Sequence, residues 1–91
     1  MRPKTASERF SDFGFCELRQ VDPDKNRRRY YCLEVQPGLF DISVQRYWGR
    51  IGSRPRMISQ YFEDPAEAML CANRIYQQKL RRGYKEAGSV N

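Results

Sequence analysis

The sequence lacks histidine altogether, contains three cysteines and has no long apolar run. Without histidine, any site that uses a histidine base or a histidine metal ligand is excluded. The three cysteines (Cys16, Cys32 and Cys71) form no Cys-x-x-Cys pair, so neither a disulfide framework nor a thiolate zinc site is expected. No apolar run approaches the roughly 20 residues that cross a bilayer, and the N-terminus has no hydrophobic signal core. We therefore expect a cytoplasmic protein that binds no metal, no cofactor and no membrane.

A chain of 91 residues has room for one small domain with a single core, and none for a separate catalytic domain. Residues 1–12 are polar and mixed, which is typical of a flexible leader. We predict a single folded domain over residues 13–86 and a short tail over residues 87–91.

The charge is strongly basic, because 17 Lys and Arg stand against 11 Asp and Glu and the formal net charge is +6. Most of these basic residues are Arg, whose planar guanidinium matches phosphates and base edges better than the ammonium group of Lys does. A balance of this kind favours polyanionic partners, such as nucleic acid or an anionic membrane surface.

Alternation of apolar and polar residues predicts antiparallel strands over residues 13–62, separated by turns rich in Pro, Gly, Asp and Asn. One predicted strand places Tyr31, Leu33 and Val35 on the same face. In the next strand, Phe40, Ile42 and Val44 share a face. Each strand is therefore expected to have one buried and one exposed face.

A helix is predicted from Pro65 to about Arg82, with Asp64 as its N-cap residue. A stripe of helical spacing runs along it, formed by Ala68, Ala72, Ile75 and Lys79. The order of elements predicts an α+β fold, in which an antiparallel β-sheet of about four to five strands carries one C-terminal α-helix on its apolar face.

Two parts of the chain are basic and free of acids, residues 42–62 and residues 68–85, and Arg27–Arg29 form a third basic cluster. The only tryptophan, Trp48, lies in the first part, and Arg46 and Arg50 share its parity with Ile42 and Val44. Two unpaired guanidinium groups would be costly to bury. Either this end of the face is open to solvent or the strand breaks near Gly49. Trp48 is then either a plate for stacking on a base or an ordinary core residue with the arginine stems reaching solvent.

The segment Trp48-Gly49-Arg50-Ile51-Gly52 resembles the signature of the WGR domain, a module of poly(ADP-ribose) polymerases and of small bacterial proteins. Tyr30–Glu34 is similar to an aromatic strand of that family, and Tyr76, Lys79 and Tyr84 are similar to the end of its helix. The resemblance implies an antiparallel sheet with a helix against it. It also implies binding at DNA strand breaks, with Trp48 and Arg50 near the 5′ terminus. Leu80 and Tyr84 depart from the Thr and Trp of the polymerases.

The leading hypothesis is a non-enzymatic nucleic-acid-binding module that recognises DNA ends, breaks or unpaired termini, with DNA favoured over RNA. Its predicted binding residues are Trp48, Arg46, Arg50, Arg54, Arg56, Lys79, Arg81 and Arg82. The alternative is a protein–protein interaction module that docks an acidic partner, because Trp and Arg are also the commonest residues of interaction hot spots. An enzyme ranks third, since no pair of nucleophile and base can be nominated.

Overall fold

A computed structural model describes residues 9–87 of the chain. Its regular elements, in order, are β1 (Gly14–Asp22), a 3₁₀ turn (Pro23–Lys25), β2 (Arg27–Pro37), β3 (Ile42–Arg50), β4 (Arg56–Phe62), α1 (Pro65–Arg81) and β5 (Lys85–Glu86). The strands form one antiparallel sheet in the order β4-β3-β2-β1-β5. One helix packs against this sheet, so the predicted α+β fold is confirmed.

The core lies between α1 and one face of the sheet. Leu18, Leu33 and Val44, from three neighbouring strands, are fully buried there. Ala68 and Ala72 of α1 are also fully buried, and their small side chains let the helix approach the sheet closely. The predicted apolar stripe of the helix and the predicted inner face of β2 are therefore confirmed.

The N-terminal end of α1 is capped by Asp64, as the sequence predicts, and a glycine follows its C-terminal end. The Asp64 carboxylate accepts a hydrogen bond from the backbone N–H of Ala66 at 2.9 Å. After the last helical turn, Gly83 has a φ of +98°, a conformation that side chains with a Cβ rarely adopt. A Cβ at this glycine would also lie 2.9 Å from Nε2 of Gln20, which donates to the Arg82 carbonyl. The chain thus turns back towards the sheet directly after the helix.

The predicted position of Phe40 is wrong. Its side chain is 89% exposed, because β3 begins only at Ile42. Residues 38–41 form a tight turn that is closed by a 2.7 Å hydrogen bond from the Gly38 N–H to the Asp41 carbonyl. Because of this turn, the strand alternation begins two residues later than the sequence pattern suggests.

The predicted leader and tail fall mostly on residues 1–8 and 88–91, which lie outside the described residues. Within the described part, Phe10 is 3% exposed and belongs to the core. Its N–H donates to Asn73 Oδ1 at 2.7 Å, and Nδ2 of the same asparagine donates back to the Phe10 carbonyl at 2.9 Å. Arg9 forms an ion pair with Glu86 at 2.8 Å, and Tyr76 donates a hydrogen bond to the same carboxylate. These contacts attach residues 9 and 10 to the helix and to β5.

Candidate functional site

Strand β3 runs without interruption through Gly49 to Arg50. Trp48 is the register partner of Tyr31 on β2, so its side chain lies on the face of the sheet that α1 covers. The helix ends at Arg81, and this end of the face is an open groove of about 940 Å³. The Arg46 and Arg50 side chains line that groove. The strand therefore does not break near Gly49; instead, this end of the sheet face is open to solvent.

Six basic side chains line the groove, and none of the described residues that line it is acidic. These six are Arg27, Arg29, Arg46, Arg50, Lys79 and Arg82. They come from β2, β3, the end of α1 and the turn after it. Charges that lie far apart in the chain thus share one concave surface, where their fields add and favour a polyanion.

The floor of the groove is aromatic. The rings of Tyr31 and Trp48 are stacked, with centroids 5.8 Å apart and an interplanar angle of 18°. Tyr84 meets Tyr31 edge-on, with centroids 6.3 Å apart. Trp48 is only half-buried, although it packs against the core. Trp48 therefore both supports the fold and lines the groove, so the two interpretations of this residue are compatible.

Lys79 lies above this floor, with its Nζ 4.4 Å from the centroid of the Tyr31 ring and 5.8 Å from that of Tyr84. A cation over an aromatic face is attracted by the ring quadrupole, so the two rings hold the ammonium group in place. Burial lowers the pKa of Lys79, and the nearby Arg82 and Arg46 lower it further. An anion bound beside Lys79 would oppose these effects and favour the protonated amine.

Arg46 is a half-buried guanidinium of the groove. Its Nη1 donates a long hydrogen bond of 3.5 Å to the Tyr31 hydroxyl. Burial raises the pKa of Tyr31, and the nearby Arg46 opposes part of this rise. Its Nε is buried and has no hydrogen-bond partner within residues 9–87. A buried guanidinium N–H without an acceptor is costly, so this placement of Arg46 carries a free-energy cost in the protein.

Arg29 and Arg50 are directly opposite one another in the pairing of β2 with β3. Side chains in such positions have Cβ atoms about 4.5–5.5 Å apart, and like charges there destabilise the sheet. Arg50 is only loosely held, by two 3.5 Å hydrogen bonds from its guanidinium to the carbonyl and side-chain oxygens of Asn26. A bound anion between the two guanidinium groups would relieve their repulsion.

Gly49 lies between Trp48 and Arg50 and faces the other side of the sheet. A Cβ at this position would be 3.2 Å from the Tyr30 hydroxyl and 3.5 Å from the Arg54 carbonyl. The absence of a side chain lets Tyr30 cross β3 and donate a 3.4 Å hydrogen bond to the Ser53 carbonyl. A side chain in the middle of the Trp-Gly-Arg segment would thus crowd the Tyr30 hydroxyl, which would have to shift by a few tenths of an ångström.

The groove brings together five of the predicted binding residues and leaves out three. Trp48, Arg46, Arg50, Lys79 and Arg82 line it. Arg54, Arg56 and Arg81 are exposed and do not. Sequence reasoning did not nominate the other lining residues, which are Gln20, Arg27, Arg29, Tyr31, Gly49, Ile58 and Tyr84. The basic cluster at residues 27–29 could have indicated two of them, since Arg27 and Arg29 share the parity of Tyr31 and therefore lie on the same face of β2.

Within residues 9–87, no three Cys, Asp or Glu side chains are grouped so as to hold a metal ion. In the same part of the chain, no helix has the length and apolarity that crossing a membrane requires.

Comparison with known proteins gives two matches. A family model described as the WGR domain matches residues 14–91. An uncharacterized protein of Sinorhizobium fredii (strain NBRC 101917 / NGR234), y4dW, is 35% identical over 74 residues. That match covers 80% of this chain and 36% of the relative, so the chain spans about a third of the relative's length. No solved structure matches this chain.

Proposed function

The chain belongs to the WGR domain family, and we propose that it is a non-enzymatic module that binds nucleic acid in the basic groove. We further propose that its ligand is DNA rather than RNA and that it selects ends, breaks or unpaired termini. The observation that carries the proposal is the groove itself, in which six basic side chains surround a stacked Tyr31–Trp48 pair without any acid among the described lining residues.

In this proposal the arginines bind phosphate and Trp48 stacks on a terminal nucleotide. Arg29 and Arg50 form a pair of guanidinium groups on neighbouring strands, and each can donate charge-assisted hydrogen bonds to phosphate oxygens. The half-buried Trp48 ring offers an aromatic surface, and stacking on such a surface tolerates any base. A small concave groove of this kind favours recognition of structure over recognition of sequence, because base readout generally needs a helix or a ribbon in a DNA groove.

The predicted residues outside the groove have a secondary role. Arg81 immediately precedes Arg82, while Arg54 and Arg56 follow the Trp-Gly-Arg segment. We propose that they attract the flanking backbone through long-range charge. Substitution of these three residues should therefore weaken association mainly at low salt, where such charges are screened least.

The proposal is tested by titrating blunt duplex, nicked duplex and single-stranded DNA with the protein at equal salt, followed by a salt series. If three to five phosphates are neutralised, log K against log salt has a slope of about −3 to −4.5 on duplex ends. A matched titration with single-stranded RNA tests the preference for DNA. Equal binding of the RNA would contradict the preference for DNA, and equal binding of a covalently closed circular duplex, which has no ends, would contradict selection of ends.

Two groove variants and one control complete the test. We expect Trp48→Ala to weaken DNA binding by roughly 1–3 kcal/mol and Arg50→Ala by roughly 1.5–3 kcal/mol. Arg74→Ala, on an exposed part of α1 that does not line this groove, should change neither folding nor binding. Melting curves must accompany the Trp48 variant because this residue also packs against the core.

The acidic-partner alternative has its own outcome in the same assay. If a folded Arg50→Ala variant binds DNA ends as tightly as the parent, then the groove is not the DNA-binding site. Retention of poly-glutamate by the parent at salt that abolishes DNA binding would instead favour an acidic protein as the ligand. We also propose a cytoplasmic location, which the three free thiols support.

A further inference from the structure

We propose that the outer edge of β4 pairs with β4 of a second copy of this chain, forming an antiparallel dimer with one continuous sheet. The proposal does not depend on the nucleic-acid function, because none of the contacts that it uses involves a ligand. It starts from the position of β4, which is the terminal strand of the sheet among the described residues.

The β4 edge lacks the usual protection against pairing. Its seven residues, Arg56–Phe62, pair with β3 in an unbroken register without a bulge. The strand contains no Pro or Lys, and Arg56 is its single charged residue. Met57 is 59% exposed, Ile58 43% and Tyr61 66%. A long, regular and apolar edge of this kind is a template for another strand.

The opposite edge of the sheet differs in each of these respects. There, β5 has two residues, Lys85 and Glu86, and both are charged. One of these two side chains is also occupied, since Glu86 binds Arg9 and Tyr76. Short, charged edge strands discourage pairing. The two edges together thus single out β4 as the one available for association within the described part of the chain.

The charges that flank β4 indicate which strand pairs with its edge and in which direction that strand runs. Arg54 and Arg56 lie at the N-terminal end of the strand, and Glu63 and Asp64 follow its C-terminal end. All four residues are exposed. When two copies pair antiparallel, the basic end of one strand meets the acidic end of the other, twice by symmetry. A parallel arrangement would bring like charges together. The strand is therefore complementary in charge to its own antiparallel copy.

The same charges suggest the register. Pairing centred on Ser59 places Met57 opposite Tyr61 of the second copy, and it brings the basic residues before one strand near the acidic residues that follow the other. Paired residues then share the same parity, so each side chain stays on its own face of the sheet. The twofold axis is perpendicular to the sheet, as in other isologous dimers that extend a sheet across an edge. A ten-stranded sheet results, with both helices and both basic grooves on one face.

The test is sedimentation equilibrium of the full chain over a concentration range from roughly 10 µM to 1 mM, which suits a small interface. We expect the mass to rise from the 10.8 kDa of the monomer towards twice that value. The variant M57K/Y61K places Lys opposite Lys at two symmetric positions and should lower the association constant by roughly tenfold. The variant M57K/Y61E places Lys opposite Glu and should stay within roughly threefold of the parent.

The control is F15K/L39K, which also replaces two exposed apolar residues with Lys but on β1 and in the turn before β3. It should dimerise like the parent after correction for net charge. A parent that is monomeric throughout, or an M57K/Y61K variant that associates as well as the parent, overturns the proposal. If M57K/Y61E associates as weakly as M57K/Y61K, the register is wrong.

A second measurement keeps the proposal testable if the lysine variants do not fold. Amide hydrogen exchange of the parent should slow in β4 as the concentration rises, and exchange in β5 should not change. Exchange in β4 that is independent of concentration contradicts self-pairing. Protection of β4 that appears only when a different polypeptide is added would assign the edge to that partner instead of a second copy.

Discussion

Two neighbouring arginines of β2 provide a strict test of the groove. Arg29 lines the groove and lies opposite Arg50, whereas Arg28 is exposed on the other face of the same strand. The substitutions Arg29→Ala and Arg28→Ala remove the same side chain at adjacent positions. Differences in strand propensity and net charge therefore cancel when the two variants are compared.

The expected magnitudes follow from the contacts. A charge-assisted hydrogen bond contributes about 1.5–3 kcal/mol, so Arg29→Ala should weaken DNA binding by roughly 10- to 150-fold. Loss of one phosphate contact should also reduce the steepness of the salt slope by about 0.9. At the same time, removing the like charge opposite Arg50 should stabilise the free protein by about 0.2–1 kcal/mol relative to Arg28→Ala. Weaker binding together with higher stability is the combination that a binding residue under repulsion should show.

The assay combines fluorescence anisotropy on a duplex end at several salt concentrations with thermal unfolding of the free proteins. For a domain of this size, each kcal/mol moves the Tm by about 4–8 °C, so the difference between the variants is measurable. Equal binding by Arg28→Ala and Arg29→Ala would refute the placement of the ligand in the groove. Equal melting temperatures would refute the repulsion between Arg29 and Arg50.

Two further predictions concern stability. Hydrogen bonds from Arg9 and Tyr76 lower the pKa of Glu86, so their stabilisation is present above the ordinary pKa of Glu and is lost as the pH falls through the lowered value. We expect Glu86→Gln to lower the free energy of unfolding at neutral pH by about 1 kcal/mol and to reduce the loss of stability as the pH falls. Parallel profiles of stability against pH for parent and variant, measured by urea unfolding, would contradict this prediction. Phe10→Ala should destabilise the protein by about 3 kcal/mol because this ring is buried in the core. A change in the free energy of unfolding below about 1 kcal/mol would show that the segment before β1 is not part of the folded unit.

Most of the fold could be predicted because its signals are local. The alternation of Tyr31, Leu33 and Val35 specifies a strand and its inner face, and the stripe on α1 specifies a helix and its buried side. The two positions that differ from the pattern both depend on contacts outside the pattern. Phe40 alternates correctly but lies in a turn that is closed by Asp41, and Phe10 is an isolated apolar residue that is held by Asn73, 63 positions away.

The sequence by itself determined the basic charge, the Trp-Gly-Arg segment and the parity that places Arg46, Trp48 and Arg50 on the helix side of β3. It did not determine whether that part of the face is covered, because the answer depends on where α1 ends relative to the sheet. Tertiary packing decided this, and it also joined Arg27 and Arg29 to Lys79 and Arg82 in one groove. The physical reason is that side-chain parity is a property of one strand, whereas the neighbours of a side chain are set by strand order, register and helix docking.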